Sequence, residues 1–226
     1  MVLRADVAPS RRSMVVAVAL VVASLTVFIL IAEDLLDGGG LISHDEAVLA
    51  WFVGHRTDWL VNIARFVSAA AGFLPLLIVG VLFALWLWRR GWKVGVAVAP
   101  AVSLSLAGLA STVAKSVFDR ARPPLAVHQA TVTLAAFPSG HSADAAAFFL
   151  AGGCIVAITL VDRRTIQATC IGMGVLLAAI VGVSRLILGV HWLSDVVAGW
   201  ALGTAVAIAV VITVWYLTTC TSSVGD

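Results

Sequence analysis

The stretch SRLILGVHWLSD, near the end of an otherwise apolar chain, carries three side chains that could do chemistry together. It contains Arg185, His191 and Asp195, so the histidine and the aspartate are four residues apart. On a presumed helix, residues at this spacing share one face and lie about 6 Å apart along the axis. A carboxylate placed there can accept the proton of one imidazole nitrogen and leave the other nitrogen free to attack.

Two earlier polar segments, KSVFDRARPP and FPSGHSAD, also interrupt the apolar runs. The first supplies Lys115 and Arg122, and the second supplies Ser139, Gly140 and His141. A proline, a serine and a glycine before an apolar helix give a tight turn, a serine cap and free backbone N–H groups, which together suit an anion. The second histidine is available as a proton donor.

The charges of the three segments favour a phosphate ligand without a metal. A phosphomonoester carries a charge of about −1.5 to −2 near neutral pH. Lys115, Arg122 and Arg185 set against Asp195 leave a charge of about +2, which roughly matches that ligand. A magnesium site would need converging carboxylates, and the cations would repel zinc held by the two histidines. We therefore expect no metal and no cofactor.

Several of these residues have a simpler explanation when taken singly. Lys115 and Arg120 could mark a helix end, and Asp144 could complement the start of the helix that follows it. Arg185 could extend to the lipid headgroups. Burying Arg, Lys or Asp at mid-bilayer costs about 2.5–3.5 kcal/mol each on insertion scales. Because so many polar residues persist together, we infer that they share a function.

The remainder of the sequence is typical of a membrane protein. Of its 226 residues 62% are hydrophobic and only 12% are charged, compared with roughly 25% charged in a soluble domain. Its apolar runs are continuous, unlike barrel strands, and long enough for helices that cross a bilayer, which takes about 20 residues. The sequence predicts an all-α, single membrane-embedded domain over residues 1–226, with six spans at 14–32, 72–88, 94–114, 143–161, 166–188 and 196–217.

The basic residues predict the orientation of these spans. Eight of the 14 lie at one end, which we expect to face the cytoplasm together with both termini: Arg4, Arg11, Arg12, Arg89, Arg90, Lys93, Arg163 and Arg164. The others, and all three polar segments, then face the extracytoplasmic side of a cell membrane: Arg56, Arg65, Lys115, Arg120, Arg122 and Arg185. A net charge of only +2 gives no indication of a nucleic-acid partner.

The segment between the first two predicted spans is mixed in polarity. In SHDEAVLAWFVGHRTDWLVNIARFVS, Trp51, Trp59 and Phe66 stand among charged residues. This composition is typical of an amphipathic helix that lies at the membrane interface. We expect one such helix on the same side as the three polar segments.

Taken in order, the three polar segments resemble the three-part signature of the type 2 phosphatidic acid phosphatase superfamily. The resemblance covers every motif position, with the third spacing intact: Lys115-(six residues)-Arg122-Pro123, Pro138-Ser139-Gly140-His141 and Ser184-Arg185-(five residues)-His191-(three residues)-Asp195. The signature spans residues 115–195, and the layout of six spans extends the resemblance to nearly the whole chain.

The resemblance implies a mechanism and a class of substrate. His191 would attack phosphorus and form a phosphohistidine, Asp195 would orient it, and His141 would protonate the leaving alkoxide. The phosphate oxygens would be held by Lys115, Arg122, Ser139, Gly140 and Arg185. Membrane members of the superfamily act on lipid phosphates and diphosphates, which implies phosphatidic acid, phosphatidylglycerophosphate or a polyprenyl diphosphate as substrate, in contact with the bilayer.

Two alternatives stay open at the level of sequence. A lipid phosphotransferase that takes phosphate from a polyprenyl diphosphate would share the first half of the reaction. A non-catalytic transporter of lipid or phosphate would explain the cations, but not the pairing of His191 with Asp195 or the presence of His141. No particular oligomeric state follows from the residues.

Overall fold

The structure is a computed structural model that describes residues 10–161 and 163–220. Arg4, one of the residues used to predict orientation, lies outside these ranges. Short 3₁₀ turns occupy Ile42–His44 and Leu125–Val127. The helices are α1 (Arg11–Asp37), α2 (Asp45–His55), α3 (Asp58–Ala70), α4 (Phe73–Arg89), α5 (Val94–Phe118), α6 (Gly140–Thr159), α7 (Arg164–Ile187) and α8 (Leu193–Cys220).

These helices confirm the prediction of an all-α protein that crosses the membrane several times. Within the described residues, α1, α5, α6, α7 and α8 are each long and apolar enough to span a bilayer. Helix α4 has 17 residues, and it follows α3 at a bend of 53°, so that the two helices together are long and apolar enough to span a bilayer. Each of the six predicted apolar runs therefore lies on one of these helices.

The predicted interfacial helix is in fact two helices, α2 and α3. The backbone is extended at Arg56 and Thr57, which separates them. A threonine followed by Asp58 suits a new helix start, because an acidic side chain in the first turn interacts favourably with the helix dipole. Helix α3 is amphipathic: it buries Val61, Ala64 and Ser68 at helical spacing, whereas Trp59 and Phe66 are exposed.

Close packing of α8 on α6 fixes the position of both helix starts. A Cβ atom built on Gly199 would lie 2.5 Å from the Ser139 carbonyl oxygen, and one built on Gly203 would overlap the Ala143 carbonyl oxygen. Helix α6 presents a run of alanines, of which Ala143, Ala146 and Ala147 are buried. Small residues allow transmembrane helices to approach closely, which gives the dispersion contacts that hold such helices together in lipid.

The two ends of the helix bundle differ in character. At one end Lys93, before α5, donates a hydrogen bond of 2.6 Å from Nζ to the Thr218 carbonyl near the end of α8. At the other end lie the loop 119–139 and the short turn 188–192, and the Gln129 amide donates to the Leu188 carbonyl at 2.9 Å. We call this second end the motif end, because all three polar segments lie there.

The glycine contact between α6 and α8 generates a prediction about stability. Gly203→Ala places a methyl group against the Ala143 backbone and 2.9 Å from the Ala146 Cβ, so we expect a loss of about 1–3 kcal/mol. Thermal unfolding in detergent measures it. Gly152→Ala is the matched control, since a Cβ there has no heavy atom within 4 Å. Equal melting temperatures for the two variants would contradict the packing argument.

Candidate active site

A cavity of about 520 Å³ at the motif end brings the three polar segments together. Six of the eight predicted site residues line it: Lys115, Arg122, Gly140, His141, Arg185 and His191. The other two, Ser139 and Asp195, are fully buried behind the wall of the cavity. Residues separated by 76 positions in the chain therefore share one polar space at the end of an apolar bundle.

His191 lies in the turn that joins α7 to α8. Gly189 makes this turn possible, because its φ of 65° is left-handed and a Cβ there would lie 2.6 Å from the Val127 carbonyl oxygen. The expectation that His191 and Asp195 share a helix face is wrong, since α8 begins at Leu193. The two side chains meet because Asp195, in the first turn of α8, directs its carboxylate toward the preceding turn, which carries His191.

The imidazole of His191 is buried, oriented and uncharged. Its Nδ1 lies 3.3 Å from Asp195 Oδ2, and its Nε2 lies 3.1 Å from an Arg122 guanidinium nitrogen. A guanidinium can only donate hydrogen bonds, so Nε2 must be the acceptor and the proton must lie on Nδ1. Burial, and then the charge of Arg122, lower the pKa of His191 well below its ordinary 6.5. The lone pair of Nε2 is therefore directed at Arg122, which lines the cavity.

Arg120 holds the second oxygen of the Asp195 carboxylate, a role that sequence reasoning missed. One guanidinium nitrogen of Arg120 contacts Asp195 Oδ1 at 2.5 Å and Ser194 Oγ at 2.7 Å. The Trp192 amide donates to Asp195 Oδ2 at 2.9 Å. By its position in the sequence alone, Arg120 is explained equally well as the mark of a helix end. Its proximity to Arg122 in the same polar segment is the signal that could have identified it.

Asp45, at the start of α2, completes this network and was not selected from the sequence. Its Oδ2 accepts from Arg120 at 2.7 Å, and its Oδ1 accepts from the Ser194 amide at 2.9 Å. Asp45 is 150 residues from Asp195 in the chain, and no local pattern distinguishes it from other acidic residues. The network joins the helix before the second span to the start of α8.

Three cations converge on the cavity. Lys115 Nζ donates to the carbonyls of Ala135 and Pro138 at 2.6 and 2.7 Å. Arg122 donates to the Val190 carbonyl at 2.6 Å, and burial lowers its pKa below the ordinary value of a guanidinium. The guanidinium remains charged near neutral pH, because this group keeps its proton in proteins.

Arg185 has hydrogen-bonding capacity that the described residues do not use. The side chain is only 3% exposed, and one terminal nitrogen donates to the Ser68 hydroxyl of α3. Its Nε has no hydrogen-bond partner among the described residues. Buried polar groups normally find partners. An unused guanidinium donor beside the cavity is therefore suited to an anionic ligand.

The second segment forms the start of α6. Ser139 is the N-cap residue, and its hydroxyl accepts hydrogen bonds from the Ser142 amide and hydroxyl at 3.4 and 2.9 Å. Its amide donates to the Asp195 carbonyl at 2.9 Å. The Ser139 amide is thus engaged and its hydroxyl oxygen accepts twice, while the residue is fully buried, so its predicted contact with phosphate stays a prediction. His141, the second residue of the helix, lines the cavity and interacts with the Ser68 backbone.

No group of three or more metal-ligating side chains converges within residues 10–161 and 163–220. The expectation of a metal-independent reaction stays a prediction. What the described geometry offers is a buried neutral imidazole, a second histidine and three cations around one polar space. Such a site can bind a phosphoryl group and transfer it to the Nε2 of His191.

Comparison with known proteins identifies the family. The model of the PAP2 superfamily matches residues 96–219. The chain belongs to the PAP2 superfamily. Phosphatidylglycerophosphatase B of Bacillus subtilis (strain 168) is 31% identical over 189 residues, which cover 80% of this chain and 88% of that protein. The chain is accordingly a multi-pass membrane lipid phosphatase, a hydrolase of phosphate esters.

Two crystal structures of PAP2-type proteins share the fold. The transmembrane PAP2 type phosphatidylglycerolphosphate phosphatase from Bacillus subtilis has a TM-score of 0.68 at 22% identity, over 93% of this chain and 97% of that chain. Aquifex aeolicus LpxE has a TM-score of 0.53 at 18% identity, over 74% and 93%. At these identities the likeness supports the arrangement of helices.

The network around Asp195 generates a prediction about turnover. Arg120→Gln removes the charge that holds Asp195 Oδ1, so the carboxylate and His191 lose their fixed positions. A displacement of ~1 Å in such a site lowers the rate about 100-fold. We expect kcat for phosphate release to fall by about 100-fold, with little change in KM. Arg164→Gln, at the exposed start of α7, is the control; similar kinetics in both variants would contradict the assignment.

The lowered pKa of His191 generates a prediction about pH and stability. The unfolded chain takes up a proton at this residue near pH 6.5, whereas the folded chain does so only at lower pH. The free energy of unfolding should therefore fall as the pH drops below about 6.5, by up to about 1.4 kcal/mol per pH unit from this residue. Thermal unfolding against pH should give a shallower slope for His191→Gln. Parallel slopes would contradict a neutral buried His191.

Proposed function

We propose that the protein hydrolyses the phosphomonoester of phosphatidylglycerophosphate through a phosphohistidine on His191, without a metal ion. The observation that carries this proposal is the position of the His191 ring. Its Nδ1 faces Asp195 at 3.3 Å, and its Nε2 lies 3.1 Å from the Arg122 guanidinium. A neutral imidazole held in this way has its nucleophilic lone pair next to the group that would bind the phosphate.

In the first step, Nε2 of His191 attacks phosphorus and the bond from phosphorus to the lipid oxygen breaks. The ring keeps its proton on Nδ1 and becomes positively charged, and the Asp195 carboxylate offsets that charge. His141 takes up a proton when the doubly charged phosphate binds and offsets the neighbouring cations. As the imidazolium it donates this proton to the departing oxygen, so the lipid leaves as a neutral alcohol. Hydrolysis rather than transport is favoured by this pairing of two histidines with a buried carboxylate.

The three cations stabilise the charge on the phosphoryl oxygens. Arg185 supplies the Nε donor that has no partner among the described residues. Arg122 turns a donor from His191 Nε2 to a phosphate oxygen, which frees the nucleophile for attack. The Gly140 amide, at the wall of the cavity, takes one of the remaining oxygens, together with the Ser139 hydroxyl once its proton turns toward the cavity. Lys115 exchanges one of its backbone carbonyl partners for a phosphate oxygen.

In the second step, water attacks phosphorus and the bond between phosphorus and Nε2 breaks. His141, neutral after the first step, accepts a proton from the water and returns to its starting state. Inorganic phosphate leaves and His191 is again neutral. The same groups therefore serve both half-reactions, and the arrangement needs no further reactant than water.

The choice of phosphatidylglycerophosphate rests on the relative of 31% identity, which is named for this activity. Phosphatidic acid and polyprenyl diphosphate remain the comparison substrates. We further propose that residues 1–226 form one domain in the cell membrane, with both termini in the cytoplasm. This orientation follows from the excess of basic residues at the end of the bundle opposite the cavity, and it places the cavity on the extracytoplasmic side.

Phosphate release by the purified protein tests the proposal. In detergent micelles with EDTA present, we expect hydrolysis of phosphatidylglycerophosphate, because the charges around the cavity come from the protein itself. His191→Ala should abolish turnover, whereas Arg164→Gln should retain it. Activity that disappears with EDTA and returns with magnesium would contradict the metal-independent mechanism.

A trapping experiment tests the covalent intermediate. His141→Ala slows the departure of a lipid alcohol but not that of a good leaving group such as p-nitrophenolate, which needs no proton. With p-nitrophenyl phosphate labelled at phosphorus, this variant should therefore accumulate an acid-labile, base-stable phosphoenzyme. The double variant with His191→Ala should carry no label. Equal labelling of both proteins would exclude His191 as the nucleophile.

A further inference from the structure

Asp144 is a buried carboxyl group at the cavity that the proposed mechanism does not use. It lies on α6 three residues after His141, so the two share a face of the helix. The side chain lines the same cavity although the residue is only 8% exposed. Its Oδ1 has no hydrogen-bond partner among the described residues. A buried polar group in this condition is costly unless a ligand satisfies it.

The neighbouring residues leave this oxygen unsatisfied for identifiable reasons. Gly108 of α5 faces it without a side chain, and a Cβ there would lie 3.4 Å from Oδ1. The hydroxyls of Ser111 and Thr112 donate to the Gly108 carbonyl at 3.3 and 2.8 Å. Lys115 Nζ is occupied by the backbone carbonyls described above. These hydrogen-bond donors, which line the same cavity as Asp144, are therefore committed elsewhere.

The position of Asp144 relative to the two histidines indicates which part of a substrate it would meet. This step rests on the proposed function. In an in-line displacement the attacking and leaving atoms lie on opposite sides of phosphorus. With His191 as the nucleophile and His141 at the leaving oxygen, a residue one helical turn beyond His141 lies beside the carbon atoms attached to that oxygen.

We propose that Asp144 recognises a free hydroxyl on the carbon adjacent to the phosphoester in the leaving alcohol. A carboxylate accepts a hydrogen bond from such a hydroxyl, and charged acceptors make the stronger bonds. Phosphatidylglycerophosphate carries this hydroxyl on its terminal glycerol. Phosphatidic acid carries an acyl ester at the corresponding carbon and has no hydrogen to donate. Asp144 is thus a specificity-determining residue.

The selectivity follows from the cost of an unsatisfied buried acceptor. A substrate with the hydroxyl donates a hydrogen bond to Asp144 Oδ1. A substrate without the hydroxyl displaces water from the cavity and leaves this oxygen without a hydrogen bond. Sites built to bind a substrate hydroxyl reject analogues that lack it more strongly than apolar pockets reject a missing methylene. We expect wild-type kcat/KM to favour phosphatidylglycerophosphate over its analogue without this hydroxyl by about tenfold or more.

The experiment compares kcat/KM on three lipids of equal acyl chain length: phosphatidylglycerophosphate, its deoxy analogue with propanediol in place of the terminal glycerol, and phosphatidic acid. Asp144→Ala should lose about tenfold on the first lipid and little on the other two, so the preference disappears. Asp144→Asn, which is isosteric and retains an acceptor oxygen, should keep part of the preference for phosphatidylglycerophosphate. Ser105→Ala is the matched control, since Ser105 lines the same cavity but donates to the Ala101 carbonyl.

Each outcome separates this proposal from the proposed function. A wild-type protein that hydrolyses the deoxy analogue as well as the parent lipid would overturn the role of Asp144 and leave the phosphatase mechanism standing. An equal loss on all three lipids in Asp144→Ala would also overturn it, because that result indicates a structural role. A wild-type protein inactive on every lipid would overturn the proposed function itself. The deoxy analogue tests wild-type protein, so the comparison does not depend on the folding of a variant.

Discussion

The carboxylate of Asp195 is the group on which the rest of the site depends. It is fully buried, and it contacts Arg120 from the first polar segment and His191 from the third. Its backbone carbonyl accepts the Ser139 amide from the second segment. A buried charge of this kind is tolerated only when its hydrogen bonds are satisfied. One residue therefore links all three segments, and satisfying it requires that they meet.

Close packing of α8 on α6 brings the three polar segments near enough to make these contacts. Gly199 and Gly203 allow α8 to approach the backbone of α6 closely, so the starts of both helices lie side by side at the motif end. The polar loop 119–139 then closes over them, and Asp45 of α2 holds the free side of Arg120. Small residues let the apolar helices pack closely, which makes the bundle rigid. The hydrogen bonds of the polar network fix the orientation of the site side chains.

Electrostatics connects this arrangement to a phosphate ligand. Burial, together with the cations at the cavity, lowers the pKa of His191, which keeps the proposed nucleophile neutral. The same surplus of positive charge, including an Arg185 donor that has no partner in the described part of the chain, suits a doubly charged phosphoryl group. Membership of the PAP2 superfamily and the likeness to phosphatidylglycerophosphatase B agree with a site of this charge.

The sequence by itself determined the helices, the three segments and the charge of the site, because apolar length and motif spacing are local properties. It could not show that α2 and α3 are separate, or that Arg120 and Asp45 support Asp195. Asp144 likewise had a simpler local explanation. These features depend on contacts between residues far apart in the chain, and only the tertiary structure decides which buried polar groups find partners and which remain open to a ligand.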